Sequence, residues 1–267
     1  MQLVHGGDWA GYRAEFGRDA LDFSANVSPL GLPEGVARAS HGGHCPRLTA
    51  HPDPLCRELR AKLALHEGVP AEQILCGNGA ADLIFRLVWA KKPRRALVTA
   101  PTFAEYATAL ESIGCTVERF FFAGAGGFCG HGCVLCGYPP GGGHGVPLPA
   151  QQPHRPAGRA CPCGSAAAQM RSRGCGAGRG RMLSGFSAGG RSLSAKHLLK
   201  NSKKLIILKA FTKLYGMAGV RLGYCLCSDT ELLARMRAAG QPWAVSSLAQ
   251  AAGIAALDET DMWRKVR

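Results

Sequence analysis

Apolar residues return at helical spacing from Pro54 to Gly68, where leucines at 55, 59 and 63 stand among Arg57, Glu58, Arg60 and Lys62. An amphipathic helix is expected there, with Gly68 as its stop. Then the period changes. Gln73-Ile74-Leu75-Cys76 is a short apolar run of strand type that enters the turn Gly77-Asn78-Gly79, and Ala80 to Leu87 leaves that turn with helical character. Ala96 to Ala100 predicts a second strand stopped by Pro101, a helix follows from about Ala104 to Ser112 with Gly114 as its stop, and Thr116 to Phe120 predicts a third strand. Much further on, Leu205-Ile206-Ile207-Leu208 reads as a buried strand, Cys225-Leu226-Cys227 as a strand alternating between two faces, and Leu248 to Leu257 as a helix. Strands alternating with helices argue for an α/β fold, its parallel or mixed sheet covered on both faces.

Composition alters this picture in one place. The chain has 267 residues, 46% hydrophobic and 19% charged, enough to bury a large core. No apolar run approaches the roughly 18 residues of a membrane span, and Met1-Gln2-Leu3-Val4-His5 lacks the order of a secretory signal, so a cytoplasmic protein is expected. The formal charge is +14, and half of it falls in Ala123 to Ser192, which holds seven arginines, no lysine and no carboxylate. That stretch also carries six of the twelve cysteines and nineteen of the thirty-six glycines, without apolar periodicity. It is expected to lack a stable core. The charge left over is scattered, as on a solvated surface, so neither nucleic acid nor a membrane is expected as a partner. Cys129, Cys133, Cys136, Cys161 and Cys163 with His131, His144 and His154 suggest zinc as a competing reading. No second Cys-x-x-Cys pair completes a usual zinc set, so no metal site is assigned.

Two segments carry chemistry. At the turn before Ala80, glycines permit close backbone approach, and the first amides of the following helix suit an anion, so Gly79, Ala80 and Ala81 could hold a phosphate. A tight connection without a ligand is equally open there. After Leu208 comes Lys209-Ala210-Phe211-Thr212-Lys213-Leu214-Tyr215-Gly216-Met217-Ala218-Gly219-Val220-Arg221. A lysine beside a hydroxyl, a loop of small residues and then an arginine is the grouping that pyridoxal 5'-phosphate chemistry needs: the amine captures the aldehyde, and hydroxyl and guanidinium bind phosphate.

This segment resembles the cofactor-lysine region of fold-type I pyridoxal-phosphate aminotransferases of class I/II. The similar branch contains histidinol-phosphate aminotransferase and the threonine-phosphate decarboxylase of cobalamin biosynthesis. The resemblance makes Lys213 the catalytic lysine, with Lys209 a neighbour, and makes Thr212 and Arg221 ligands of the cofactor phosphate. It extends to Gly77-Asn78-Gly79-Ala80-Ala81-Asp82, similar to the family's phosphate cup, and to Pro101-Thr102-Phe103, where the resemblance implies that Phe103 stacks on the pyridine ring. His5-Gly6-Gly7-Asp8 and Asp22 to Gly31 look like the opening of the decarboxylase subgroup, which implies that His5, Ser24 and Asn26 meet the substrate phosphate. His51 departs from the pattern, since the family usually has a tyrosine there that reaches the partner subunit's cofactor.

The family also implies an Asn-Asn-Pro-Thr-Gly loop and a strand ending in Asp-Glu, and neither stands between the cup and the lysine. Both are permitted by the codons one base away. Dropping one base from Ala150 to Pro156 permits Pro-Asn-Asn-Pro-Thr-Gly, the same shift over Gly180 to Ser187 permits Asp-Glu-Cys-Phe-Leu-Asp-Phe, and Gly143 to Leu148 becomes Asp-Met-Val-Phe-Leu-Cys. A double frameshift is the expectation, entered near Phe122 and left near Ser192.

The expected architecture is a three-layer fold-type I large domain with a mainly parallel mixed sheet. Residues 1–31 form an N-terminal arm and substrate loop, and residues 32–267 an incomplete cofactor-binding domain with 123–192 anomalous. The helix near Leu257 leads only to Arg267, so a truncated chain without the small C-terminal domain is expected. The resemblance implies decarboxylation of L-threonine O-3-phosphate to aminopropanol phosphate, a phosphorylated amino acid as substrate, and a homodimer. The alternatives are a histidinol-phosphate-type aminotransferase and a nonenzymatic basic or metal-binding product. Without the family's aspartate at the ring nitrogen and asparagine at the ring oxygen, the literal chain is expected to be severely impaired.

Overall fold

The computed structural model describes residues 9–19, 21, 28, 30–40, 50–100, 102–121, 145–148, 177–180 and 195–259. In chain order the elements are α1 (Trp9–Phe16), α2 (Glu34–Ser40), α3 (Arg57–Glu67), β1 (Ile74–Gly77), α4 (Gly79–Lys91), β2 (Arg95–Ala100), α5 (Ala104–Glu111), β3 (Thr116–Phe121), β4 (Gly145–Leu148) and β5 (Ala177–Gly180). A 3-10 segment (Ala195–Asn201), β6 (Leu205–Ala210), β7 (Gly223–Cys227), α6 (Thr230–Ala238) and α7 (Ser247–Ala256) follow.

Helix boundaries follow local chemistry. The first helix predicted from the leucine pattern starts only at Arg57, so Leu55 lies ahead of it, because Asp53 accepts the backbone N–H groups of Leu55 and Arg57 and holds the entry as a turn. It stops at Gly68, whose φ of 63° reverses the chain and whose N–H donates to the Ala64 carbonyl. Leu59 and Leu63 are wholly buried on its inner face, each contributing about 1.5–3 kcal/mol of burial. Asp229 caps α6 by accepting the Leu232 N–H, and Ser246 caps α7 by accepting the Ala249 N–H.

Two ladders form the sheet layer. One has the order β1-β7-β6-β5, with β7 antiparallel to both its neighbours and β5 parallel to β6; the other has the order β3-β2-β4, all parallel. β4 and β5 lie beside one another. The mixed sheet expected from sequence is therefore present. Its strands feed two cores through their two-residue period. Ile74, Cys76, Leu205, Ile207, Tyr224 and Leu226 pack on one side with α3 and α7. Leu75, Ile206, Leu208, Cys225 and Cys227 pack on the other with α4, α5 and α6. The expected alternation is present: Cys225 and Cys227 enter the second core, and Leu226 between them enters the first.

Within Ala123 to Ser192 the described residues form two short strands. Gly145–Leu148 and Ala177–Gly180 pair as β4 and β5 despite their glycine and proline content, since a ladder is made by backbone groups that every non-proline residue carries. The candidate zinc residues lie outside the described residues, and no group of three or more potential metal ligands occurs among the described ones. No helix of the described chain is long and apolar enough to cross a membrane.

Candidate active site

Strand register brings the two predicted segments together. Gly77, the last residue of β1, is opposite Gly223 at the start of β7, and Gly223 is opposite Ala210, the last residue of β6. The glycine turn that leaves β1 and the loop 211–222 that joins β6 to β7 therefore emerge at one edge of the sheet. Close approach requires the glycines. A Cβ on Gly223 would lie 2.7 Å from the Gly79 carbonyl carbon and 2.8 Å from the Ala80 nitrogen, so any larger residue would wedge the turn off the strand. Gly79 itself has φ +80°, a left-handed conformation that favours glycine, and a Cβ there would lie 3.0 Å from Arg221 Nη2.

The start of α4 is built to be open. Asn78 is its N-cap but makes no side-chain cap hydrogen bond, and its own N–H donates to Asp82 Oδ2 at 2.9 Å. The first amides of the helix, from Gly79, Ala80 and Ala81, have no intrahelical acceptor, and Arg221 lies beside Gly79. Arg221 holds a left-handed backbone at φ 59° and donates from Nη1 to the Ala218 carbonyl at 3.2 Å, which fixes its head. Uncapped amides beside a guanidinium, with no Cβ between them, make a cradle that fits a phosphate.

Lys213 follows Thr212 in the same loop, and both are half-buried. Burial pushes the Lys213 amine below the ordinary lysine range, which raises its neutral, nucleophilic fraction. The loop is anchored by residues that sequence reasoning missed. The buried Ser28 donates its N–H to the Lys213 carbonyl at 3.0 Å, and a Cβ on Gly216 would lie 2.6 Å from the Gly31 carbonyl oxygen. The Ser28-Pro29-Leu30-Gly31 turn signal was visible in the sequence, but the loop it docks against was not. His5, Ser24 and Asn26 lie outside the described residues.

Phe103 is the N-cap of α5, just past the end of β2, and meets Tyr106 edge to face at 6.2 Å. Thr102 Oγ1 beside it is buried, with no hydrogen-bond partner among the described residues. His51 stacks on Trp243 with ring centroids 4.3 Å apart. The end of β5 is in parallel register with β6, Gly180 opposite Leu208, so a side chain leaving β5 there would emerge on the strand that leads to Lys213. The residue at that position is glycine. The cradle and the amine thus fit the phosphate and aldehyde of pyridoxal phosphate, whereas the end of β5 supplies no acid for a ring nitrogen.

A half-buried lysine on the loop after a central strand, in the same loop as an arginine that lies against the start of a helix, is an arrangement that suits a pyridoxal-phosphate site on an α/β fold. Comparison with known proteins agrees. The family described as aminotransferase class I and II matches residues 182–265. The chain is 34% identical to the threonine-phosphate decarboxylase of Salmonella typhimurium over 259 residues, covering 90% of this chain and 65% of that protein. It is 29% identical to the histidinol-phosphate aminotransferase of Symbiobacterium thermophilum over 257 residues, covering 93% of this chain and 68% of the relative. In structure it is similar to the histidinol-phosphate aminotransferase of Sinorhizobium meliloti solved in complex with pyridoxal 5'-phosphate, with a TM-score of 0.74 at 19% identity, covering 99% of this chain and 71% of that one. Residues 182–265 are thus similar to the class I and II aminotransferase family, and the solved structures share the α/β fold. The chain spans about two thirds of the length of the relatives it matches.

Proposed function

We propose that this chain represents a threonine-phosphate decarboxylase, acting on L-threonine O-3-phosphate to give aminopropanol phosphate in cobalamin biosynthesis, in the cytoplasm and as a homodimer. The observation that carries the reading is the similarity to the Salmonella enzyme over nine tenths of the chain, together with the anchoring of the lysine loop by residues 28–31. Residues 1–31 act as the substrate arm, with His5, Ser24 and Asn26 on the substrate phosphate. Residues 32–267 make the cofactor-binding domain.

Within it, the amides of Gly79, Ala80 and Ala81, the Thr212 hydroxyl and the Arg221 guanidinium hold the cofactor phosphate, and Phe103 packs on the ring. When bound, the cofactor accepts the electron pair released as the substrate carboxylate leaves. Lys213 Nζ would hold the cofactor through its aldehyde carbon and would be the group placed to return a proton to the substrate carbon, roles that its lowered basicity suits.

The stretch 123–192 is read as out of frame. β4 falls on the residues whose shifted codons permit Val-Phe-Leu-Cys, and the shifted codons of Cys175 to Gly180 permit Val-Val-Leu-Val-Val-Asp, an apolar strand ending in acid where β5 ends. Both coincidences support a frame change around a preserved fold. The literal chain, lacking that acid, is expected to bind cofactor and turn over poorly.

A histidinol-phosphate-type aminotransferase is the second reading, favoured by relatives of that name. Product analysis on the frame-restored protein decides between them. Carbon dioxide and aminopropanol phosphate from threonine phosphate are expected; amino transfer to 2-oxoglutarate without carbon dioxide would select the aminotransferase.

A further inference from the structure

A cavity of about 200 Å³ opens between the entry to α3, β1, α4 and the loop 240–245 that follows α6, and none of the site residues described above lines it. A cavity of about 150 Å³ accommodates benzene, so this one has room for a molecule of about six heavy atoms and is too small for a drug-sized one. Trp243 at its rim is 45% exposed, which makes the cavity reachable from solvent. The ring of Trp243 is held in place by its stacking on His51. Leu75 and Val245 are buried and give the wall an apolar patch.

The rest of the wall is cationic. Arg86 reaches it from α4 with a side chain only 5% exposed. Its Nε donates to Asp82 Oδ1 at 2.8 Å, which fixes one edge of the guanidinium, but its Nη2 is buried with no acceptor among the described residues. A buried donor left unpaired costs about 1–3 kcal/mol, and more on a charged group, so an arriving acceptor is favoured here. Gly240 closes over this head: a Cβ there would lie 2.1 Å from Arg86 Cζ, so the loop can take its course only without one. Arg237, half-buried at the end of α6, also lines the cavity, and its side chain has no hydrogen bond or ion pair among the described residues. The carboxylate of Asp53, also on the wall, is taken by Arg57 Nη1 at 2.6 Å and by the N–H groups of Leu55 and Arg57. Arg86 balances Asp82 and Arg57 balances Asp53, so the charge of Arg237 is left over.

We propose that this cavity is a binding site for a small aliphatic monocarboxylate, separate from the cofactor cradle, with the carboxylate on Arg86 and Arg237 and the hydrocarbon part against Leu75 and Val245. A single negative charge cancels the surplus of the wall, and a planar carboxylate matches the fork of N–H donors that a guanidinium presents. The apolar patch favours an organic anion over an inorganic one, whose outer oxygens would be buried there without partners. The volume sets the upper limit on the hydrocarbon. This site stands on its own residues and holds whatever reaction the lysine loop supports.

The test is isothermal titration of the full chain with butyrate, with butyramide, which has the same shape without the charge, and with inorganic phosphate. Butyrate is expected to fill a single saturable site with a Kd on the order of millimolar, as suits so small a ligand. Butyramide is expected to bind at least about tenfold more weakly, and Arg237→Gln to weaken butyrate by about tenfold. Prior addition of one equivalent of pyridoxal 5'-phosphate is expected to leave butyrate binding unchanged. The absence of saturable butyrate binding, equal binding of butyrate and butyramide, binding untouched by Arg237→Gln, or displacement by pyridoxal 5'-phosphate overturns the proposal. So does inorganic phosphate binding more tightly than butyrate, which would make this a phosphate site. Arg86→Gln is expected to abolish binding. If circular dichroism shows that this variant fails to fold, Arg237→Gln and butyramide still decide, because Arg237 lies outside both cores.

Discussion

β5 and β6 are parallel neighbours in one ladder, with Ala177 opposite Leu205 and Gly180 opposite Leu208, yet their sequences have almost nothing in common. β6 reads Leu-Ile-Ile-Leu-Lys-Ala and sends Leu205 and Ile207 into one core and Ile206 and Leu208 into the other. β5 reads Ala-Gly-Arg-Gly. The backbone hydrogen bonds of a ladder are indifferent to side chains, whereas filling a layer on each face of a sheet is not. A strand can therefore take its place in the topology without apolar residues of its own.

Restoring the frame is the strongest challenge to this contrast. It would place Val-Phe-Leu at 145–147 and Leu-Val-Val at 177–179, and at about 1.5–3 kcal/mol per buried aliphatic or aromatic side chain the gain is on the order of 10 kcal/mol. Urea unfolding of the frame-restored chain should show a midpoint and slope both raised, because more surface is buried. An unchanged curve would mean that β5 needs no apolar face.

A second test concerns the one charged residue of β6. Lys209 Nζ donates to Glu67 Oε1 at 2.6 Å, Tyr224 Oη donates to the same oxygen at 2.6 Å, and Lys196 Nζ lies 3.3 Å from Oε2. Burial pushes the Glu67 carboxyl up, but the charge and hydrogen bond of Lys209, the Tyr224 hydroxyl and the charge of Lys196 outweigh it and hold the pKa at about 2. With the folded value below the ordinary carboxyl value of 4.5, the stabilisation is fully present above pH 4.5 and is lost as pH falls toward 2. Glu67→Ala leaves Lys209 and Tyr224 without their acceptor and is expected to cost about 4 kcal/mol at neutral pH. The same variant should flatten the acid-induced loss of stability between those two values, as followed by circular dichroism.

Ile207→Ala removes a side chain that is 1% exposed in the core shared with α3 and α7, and is expected to cost about 3 kcal/mol in chemical denaturation. A cost below about 1 kcal/mol would bring β6 close to β5 in what its side chains contribute. Lys213→Ala should shift stability least, within about 0.5 kcal/mol, since the residue is half-buried and lies outside both cores. It should nevertheless abolish the visible absorbance band that forms when wild-type protein is mixed with pyridoxal 5'-phosphate. In the wild type that band should form at lower pH than with an ordinary exposed lysine, because burial lowers the basicity of Lys213.

Local chemistry in the sequence was sufficient to locate α3, β1, α4, β2, α5, β3, β6, β7 and α7 to within a few residues, because apolar period, glycine stops and caps act over a few positions. The lysine loop and the glycine turn were legible for the same reason, as were the residue types that suit a phosphate. Only the tertiary structure decided that Gly223 abuts Gly79, that Arg221 lies against the open start of α4, and that Ser28 and Gly31 hold the lysine loop. Only it placed Glu67 under Lys209 and Tyr224, across separations of 142 and 157 residues. β4 and β5 belong to the same class. Their residues have neither period nor propensity, and their pairing is set by the neighbouring strands, whose unpaired N–H and C=O groups need partners whatever side chains arrive with them.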